Sequence, residues 1–236
     1  MSVTAYMATI IKGGVLLAAL RLFEGVDVSR PLVELLLVLP LVSIVWGNLA
    51  AIRQQSFRRM IAYSSIAHAG YLFYAFPGAA DGRAQAVLFY IVAYALMNLI
   101  AFAMLPYHAD DVDRDRLESL RGLYRRDPLA AMFIAVAVLS LAGIPPFPGF
   151  VAKFLVFRNV MDAGYTAHAV MGLVASYLGI YFYLRIVVLM FMGAREESGG
   201  VVVSSRADIL ARSAAYLCVA ATVVMLVVPG WVLELV

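Results

Sequence analysis

Long apolar runs dominate this sequence and decide its class before any single residue is considered. A helix needs about 20 consecutive apolar residues to cross the hydrocarbon core of a bilayer. Seven runs approach or exceed that length, and short connections that carry Gly, Pro, Asp and Arg separate them. They cover roughly residues 3–23, 31–52, 60–76, 84–106, 129–157, 168–192 and 209–232. The pattern predicts an all-α, polytopic membrane bundle that forms a single membrane domain over residues 1–236.

Composition excludes the main alternatives to a membrane bundle. Hydrophobic residues make up 64% of the 236 residues and charged residues 14%, whereas soluble domains have about 25% charged residues. A water-soluble globule, a disordered tail and a coiled coil are therefore excluded. Cys218 is the only cysteine, so an internal disulfide scaffold is excluded too. The net charge of +3 does not indicate a nucleic-acid partner, because the arginines are spread over short connections between apolar runs.

The distribution of arginine predicts an orientation in the cell inner (cytoplasmic) membrane. Eleven arginines follow the second, fourth and sixth runs, and four lie in the opposite connections. Because Lys and Arg are enriched in cytoplasmic loops, the larger set is predicted to be cytoplasmic. The N-terminus of the chain is then cytoplasmic, and the C-terminus lies on the opposite side. Met1 stands almost at the start of the first run without a basic leader, so we expect no cleaved signal peptide and a longer parent protein.

The longest connection, residues 107–128, carries five arginines and six acidic residues. Its apolar residues recur at helical spacing and are Leu117, Leu120, Leu123 and Tyr124. This spacing predicts a short amphipathic helix that lies along the membrane surface. The segment Tyr107–Asp111 has one histidine beside two acids but no helical spacing of ligands, so no metal site is predicted there. No phosphate-binding or nucleotide-binding motif is found in the sequence.

Both lysines of the chain, Lys12 and Lys153, lie inside apolar runs. A lysine at the centre of a membrane helix costs about 2.5–3.5 kcal/mol on insertion scales, so such a residue indicates a functional site. A lysine can release its proton in apolar surroundings, whereas an arginine stays charged. We therefore predict that Lys12 and Lys153 are the catalytic, proton-transferring residues. The alternative is that both side chains extend to the lipid headgroups.

The fifth run contains a predicted helix break. Five residues mark it: Gly143, Pro145, Pro146, Pro148 and Gly149. The three prolines remove backbone donors and leave the carbonyls of Leu141, Ala142 and Ile144 without helical partners. Non-helical backbone at membrane depth occurs only inside protein or along a water-filled cavity, and discontinuous helices form the ion sites of transporters. Since Lys153 follows the break by about one turn, we predict an ion path here rather than a kink required only for packing.

Polar residues in the third and fourth runs are candidates for the same path. Ser64 lies four residues before His68 and Tyr71 three residues after it, so all three share one helix face. We predict a possible relay through His68 and Ser64, and the alternative is a neutral histidine that Ser64 or a carbonyl satisfies. A polar stripe on the fourth run consists of Tyr90, Tyr94 and Asn98. These side chains could line the proton path or form hydrogen bonds between helices. The second role is favoured for the two tyrosines, and Asn98 fits either role.

Two long motifs resemble the antiporter-like membrane subunits of respiratory complex I. The first is RRMIAYSSIAHAGY at residues 58–71, preceded by GNLAA at 47–51. The second is LSLAGIPP at residues 139–146, followed by GFVAKF at 149–154. ATIIK at residues 8–12 and YFYLR at 181–185 also fit. Members of that family have about fourteen helices that include two inverted repeats, and this chain resembles the last seven.

The resemblance implies a translocase subunit of NADH:quinone oxidoreductase that couples quinone reduction to proton transfer along buried lysines. Lys12 matches the family's central lysine, and Lys153 matches the Lys or Glu on its second broken helix, where lysine is typical of the subunit N branch. The resemblance implies that this chain binds no cofactor and that NADH, flavin, iron–sulfur clusters and quinone belong to partner subunits. Its partners would be other membrane and peripheral subunits, especially neighbouring antiporter-like subunits, together with the lipid bilayer.

The resemblance leaves other functions open. The family's first half carries a glutamate and another lysine, and this chain has no counterpart of either. A cation/proton antiporter subunit or the membrane arm of a related hydrogenase would use the same local chemistry. An inactive truncated fragment is the third possibility.

Overall fold

The computed structural model describes residues 7–23, 29–105, 115–192 and 206–227, and within these ranges the chain is helical apart from short turns. The helices are α1 (Lys12–Phe23), α2 (Arg30–Ile52), α3 (Phe57–Tyr74), α4 (Ala80–Ala103), α5 (Leu123–Arg126), α6 (Pro128–Ala142), α7 (Pro148–Asp162), α8 (Thr166–Met192) and α9 (Arg206–Val227). A π-helical turn, Met7–Ile11, precedes α1, and a 3₁₀ turn, Leu117–Leu120, precedes α5. The predicted all-α class is confirmed.

The bundle exposes many large apolar side chains and buries several polar ones within a largely apolar interior, which suits a lipid environment. Trp46 is 66% exposed and Leu217 is 73% exposed, whereas Asn98 is completely buried. In the described part of the chain, four helical segments are long and apolar enough to cross a membrane: Arg30–Ile52, Gly82–Ala103, Thr166–Met192 and Leu210–Val227. The polytopic membrane class is therefore confirmed, and the number of seven spans stays a prediction.

The predicted fifth span is discontinuous, as expected from its prolines. It consists of α6 and α7, two helices of 15 residues each, separated by residues 143–147. The break lies within the predicted segment Gly143–Gly149 and includes Gly143, Pro145 and Pro146. Pro148 is the first residue of α7, where a missing N–H costs nothing because that group has no helical acceptor, and Gly149 lies inside α7. The carbonyl of Ile144 also keeps a partner, since the Phe147 N–H donates to it over 3.1 Å.

Two glycines allow α2 and α3 to pack closely as an antiparallel pair. A Cβ atom on Gly47 would lie 2.7 Å from the backbone nitrogen of Ala67, and one on Gly70 would lie 2.7 Å from the carbonyl oxygen of Pro40. Small residues at such crossings let backbones approach, which is the main source of packing energy between helices in lipid. The approach fixes the position of α3, whose buried face carries most of the candidate relay residues.

The connection before α6 differs from its prediction over residues 115–127. A single amphipathic helix on the membrane surface is wrong there, because Gly122 adopts a left-handed conformation with φ +64° and separates two short helical turns. Leu117, Leu120 and Leu123 are buried in the bundle, and the Gly122 N–H donates to the Leu189 carbonyl over 3.0 Å. The three leucines of this connection therefore pack against protein, whereas Tyr124 is 42% exposed and stacks on Phe191. The segment Tyr107–Asp111 lies outside the described residues.

Candidate functional site

Polar side chains from six helices, all buried except the half-buried Lys12, meet in the interior of the bundle. They come from α1, α2, α3, α4, α7 and α8, and we refer to them together as the polar core. Its members are Lys12, Asn48, Ser64, Ser65, His68, Tyr71, Tyr90, Tyr94, Asn98, Lys153 and Tyr183. All the lysine and relay residues predicted from the sequence belong to it. The helix break borders it, because Lys153 contacts the end of α6.

His68 is the junction of three helices in the polar core. Its Nδ1 lies 2.7 Å from the Tyr90 hydroxyl on α4, and its Nε2 lies 3.2 Å from the Tyr183 hydroxyl on α8. Ser64 forms its hydrogen bond with the Tyr183 hydroxyl rather than with the imidazole. A hydroxyl can donate or accept, so both ring nitrogens have partners in either neutral tautomer. His68 is thus a satisfied histidine, but its partners are tyrosine hydroxyls rather than the Ser64 hydroxyl or a carbonyl that the packing alternative named. These hydroxyls are groups that can pass a proton, and the relay stays a prediction.

Lys153 takes the position of a missing backbone donor at the helix break. Its Nζ donates to the Ala142 carbonyl over 2.8 Å, and this carbonyl is one that the prolines were predicted to leave without a helical partner. The ammonium also lies 4.9 Å from the centre of the Tyr71 ring, where a cation is attracted to the ring face. Lys153 is 7% exposed. Its side chain therefore ends inside the bundle and does not extend to the headgroups.

Gly143 makes room for this arrangement of Lys153. Its φ of +80° is a left-handed conformation that L side chains rarely adopt. A Cβ atom there would lie 2.8 Å from Cδ and 3.0 Å from Nζ of Lys153. The glycine that ends α6 is consequently also the residue against which the lysine side chain is packed.

Lys12 approaches the polar core from the opposite side and borders an open cleft. Its Nζ donates to the hydroxyl and the carbonyl of Ser65, and lies 5.4 Å from the centre of the Tyr94 ring. The cleft has a volume of about 470 Å³ between α1, α2 and α3, and its walls are apolar apart from Lys12, Ser43 and Ser65. A π-helical turn ends directly before Lys12, and such turns are frequent at functional sites.

Aromatic rings and His68 lie between the two lysines. The ring of Tyr94 faces Lys12 on one side and lies 4.8 Å from the His68 ring on the other. The ring of Tyr71 faces Lys153 and stacks on Tyr90 with centres 6.3 Å apart. The predicted pair of lysines thus belongs to one cluster, in which a histidine and three tyrosines connect them.

A comparison with known families assigns the fold. Residues 1–179 match the family described as NADH:quinone oxidoreductase/Mrp antiporter, TM. This chain belongs to that family. The match includes α1 to α7 and therefore every member of the polar core except Tyr183.

Curated relatives and solved structures agree with the family assignment. NADH-quinone oxidoreductase subunit N of Pelobacter propionicus is 40% identical over 194 residues, which are 82% of this chain and 42% of that protein. NADH-quinone oxidoreductase subunit 14 of Thermus thermophilus is 43% identical over 195 residues, 83% of this chain and 42% of that protein. A chain in respiratory complex I from Thermus thermophilus with bound aureothin superposes with a TM-score of 0.73 at 40% identity, covering 85% of this chain and 45% of that chain. The chain spans less than half the length of the curated relatives it matches.

Asn98 occupies the α4 side of the polar core but does not connect helices. Its Nδ2 donates to the Tyr94 carbonyl one turn earlier in the same helix, over 2.8 Å. Its Oδ1 is buried and has no hydrogen-bond partner among the described residues. Buried polar atoms without protein partners are rare and are commonly satisfied by water. This favours a place for Asn98 in a hydrated path over a role in helix packing. The place of Asn98 in such a path stays a prediction.

Three members of the polar core, Ser65, Asn48 and Tyr183, were not predicted as site residues. Ser65 accepts hydrogen bonds from Lys12. Tyr183 bridges Ser64 and His68, and Asn48 donates to the Tyr71 hydroxyl and to the Ala175 carbonyl, in both cases over 3.3 Å. Tyr183 and Asn48 lie in the motifs that carry the family resemblance. The sequence contains no other indication that they belong to the site. Nothing in the local sequence separates buried Tyr183 from its neighbour Tyr181, which is 63% exposed.

We expect Tyr183→Phe to weaken the connection between α3 and α8 without disrupting the fold. The substitution removes only the hydroxyl that contacts Ser64 and His68, and such bonds between membrane helices contribute about 0.6 kcal/mol each. Thermal unfolding of the purified protein in mild detergent would show a small decrease in midpoint. Tyr181→Phe, on the exposed face of the same helix, is the matched control and should leave the midpoint unchanged. An equal decrease for both variants would contradict the bridging role of Tyr183.

Proposed function

We propose that this chain forms a proton-translocating part of a membrane subunit of NADH:quinone oxidoreductase. The observation that carries the proposal is the pair of lysines, half-buried Lys12 and buried Lys153, which His68 and its tyrosines join beside a helix break. A lysine in this setting can hold a proton or release it to a neighbouring group, and the helix break supplies a carbonyl that stabilises the charged form. Identity above 40% to subunit 14 of the Thermus enzyme supports the assignment.

The contacts of Lys153 indicate how its charged form is stabilised and what its neutral form loses. With the proton bound, the Lys153 ammonium has the Ala142 carbonyl and the Tyr71 ring face as partners. When the proton leaves, the neutral amine loses most of this electrostatic attraction. Two ammonium groups in one apolar interior also disfavour simultaneous full charge. A change of charge near one lysine therefore changes the proton affinity of the other, and His68 with its two hydroxyl partners provides a group through which a proton can pass.

We propose that the redox chemistry belongs to partner subunits, as the resemblance implies. NADH, flavin, iron–sulfur clusters and quinone would bind there, and redox energy would reach this chain as electrostatic changes along the buried lysines. Among the described residues, no three His, Cys, Asp or Glu side chains come together in a way that could hold a metal ion. The partners would be other membrane and peripheral subunits, above all neighbouring antiporter-like subunits, in the cell inner membrane.

Co-purification distinguishes this function from a cation/proton antiporter or a hydrogenase membrane arm. The chain would be tagged in its native host and isolated from membranes in mild detergent. We expect peripheral subunits to co-purify and the preparation to reduce quinone with NADH. A preparation that contains only membrane subunits and exchanges cations for protons would support the antiporter alternative, and a chain that recovers no partners would support an inactive fragment.

The proposed orientation has its own test at Ser119, which lies in the connection before α6. We expect this connection to face the cytoplasm, because eleven arginines lie on its side of the predicted topology and four on the other. Ser119→Cys in a Cys218→Ser background should resist a membrane-impermeant thiol reagent in intact cells and react after permeabilisation. Reaction in intact cells would reverse the orientation.

A further inference from the structure

A single asparagine of α2 links three helices in the polar core. Asn48 is 3% exposed, and its Nδ2 donates to the Tyr71 hydroxyl of α3 and to the Ala175 carbonyl of α8, in both cases over 3.3 Å. A Cβ atom on Gly179, one turn after Ala175, would lie 3.1 Å from Oδ1 of Asn48. The surface of α8 therefore leaves room for this amide and accepts one of its hydrogen bonds.

The side chain of Tyr71 connects this amide to Lys153. Its hydroxyl accepts the hydrogen bond from Asn48, and the centre of its ring lies 4.9 Å from Nζ of Lys153. The same ring stacks on Tyr90 and meets the edge of Phe157, with ring centres 6.3 Å and 6.2 Å away. Tyr71 is 2% exposed, so its hydroxyl and its ring both end inside protein.

The ammonium of Lys153 has two partners that are held in place differently. The Ala142 carbonyl belongs to the backbone at the end of α6, so the helix itself fixes it. The Tyr71 ring belongs to a side chain that can turn about its Cα–Cβ bond. Because a buried hydroxyl without a hydrogen-bond partner is unfavourable, loss of the Asn48 donor would draw the Tyr71 hydroxyl toward another partner. The ring face would then shift away from the ammonium.

We propose that Asn48 is a positioning residue for proton transfer at Lys153 and that it acts through the hydroxyl of Tyr71. Its amide keeps the ring face of Tyr71 against the ammonium, where a cation is attracted to the ring. The neutral amine has no such attraction, so the contact favours the state in which Lys153 holds its proton. This role rests on the proposed function, because it concerns a proton that the proposed function moves.

Substitution of either hydrogen-bond partner should have the same consequence. Tyr71→Phe keeps the ring and removes the hydroxyl, and Asn48→Leu removes the donor at similar size. We expect each variant to lower proton translocation about fivefold per assembled complex, and the double variant to lower it no further, because both changes break one bond. A double variant with the product of the two single effects would overturn the proposal. Tyr71→Phe, which removes only one hydroxyl, carries the test alone if Asn48→Leu does not assemble.

Tyr74→Phe is the matched control, because it removes a hydroxyl of the same kind about one turn further along α3. The Tyr74 hydroxyl donates to the His168 carbonyl of α8 over 2.6 Å, and its ring meets Phe157. Tyr74→Phe should therefore weaken the contact between α3 and α8 but keep the parental rate of translocation per assembled complex. An equal loss of rate in Tyr74→Phe and Tyr71→Phe would show a general packing effect and would contradict the role of Asn48.

The pH profile of translocation separates a positioning role from a packing role. Loss of the ring contact removes a partner of the ammonium alone, so translocation by Tyr71→Phe and Asn48→Leu should fall with rising pH about 0.5–1 unit earlier than in the parental complex. The titratable rings that lie against Tyr71 are those of His68 and Tyr90, and both variants keep them. A packing defect would lower the rate by the same factor at every pH and would overturn the proposal.

Lys153→Ala separates the failure of this proposal from the failure of the proposed function. If Lys153→Ala blocks translocation while Tyr71→Phe and Asn48→Leu keep the parental rate and pH profile, Asn48 has no positioning role. If Lys153→Ala also translocates normally, the proposed function fails instead.

Discussion

Lys153→Ala is expected to lower proton translocation by about two orders of magnitude, in the range lost with a positioned proton-transfer group, while the complex still assembles. The substitution removes the ammonium that the Ala142 carbonyl and the Tyr71 ring hold at the helix break. Assembly should persist because a buried charge costs energy to insert, so its loss relieves that cost. The measurement is proton uptake into reconstituted vesicles, recorded beside electron transfer and the amount of assembled complex.

Two further substitutions at position 153 separate charge from proton exchange. Lys153→Arg keeps a cation but should restore little activity, because arginine holds its proton. Lys153→His supplies a group that exchanges protons near neutral pH and should restore part of the activity. Arg158→Gln, five residues further along α7 and exposed, is the control for general effects on this helix. An assembled Lys153→Ala complex that translocates protons at the parental rate and stoichiometry would disprove the role of this lysine.

Gly149→Ala is expected to prevent assembly or to destabilise the chain by about 1–3 kcal/mol or more. A Cβ atom at this position would lie 1.8 Å from the carbonyl oxygen of Ser140. Because the obstacle is backbone, no side-chain rotation can relieve it, and α6 and α7 must separate. The separation also breaks the hydrogen bond from the Gly149 N–H to the Ser140 hydroxyl, which is 3.0 Å long.

The control for Gly149→Ala is the same change at Gly14. A Cβ atom on Gly14 of α1 meets nothing within 4 Å, and alanine is favoured over glycine inside a helix by about 0.5–1 kcal/mol. Gly14→Ala should therefore leave stability unchanged or raise it slightly. Thermal unfolding in detergent and the yield of monodisperse protein measure both variants. Equal behaviour of the two would contradict the close contact between α6 and α7.

The features that the sequence alone determined depend on local chemistry. Apolar runs predicted the membrane helices because the bilayer demands long uninterrupted apolar segments. Pro145 and Pro146 predicted the break because each lacks an N–H, and the free carbonyl of Ala142 followed from the same fact. Lys12 and Lys153 stood out because charges are costly in apolar helices. None of these inferences required knowledge of which helices are neighbours.

Only the tertiary structure decided which groups meet. His68 contacts Tyr90 and Tyr183 instead of Ser64, and the Asn159 side chain of α7 fits against Gly78, in the turn before α4, and Gly82, in the first turn of α4. The physical reason lies in the helices themselves, since membrane helices are apolar toward lipid and toward protein alike. Hydrophobic periodicity therefore says little about which face of a helix is buried. Rotation and register of the helices, set by close contacts such as that of Gly70 with Pro40, determine which polar side chains come together.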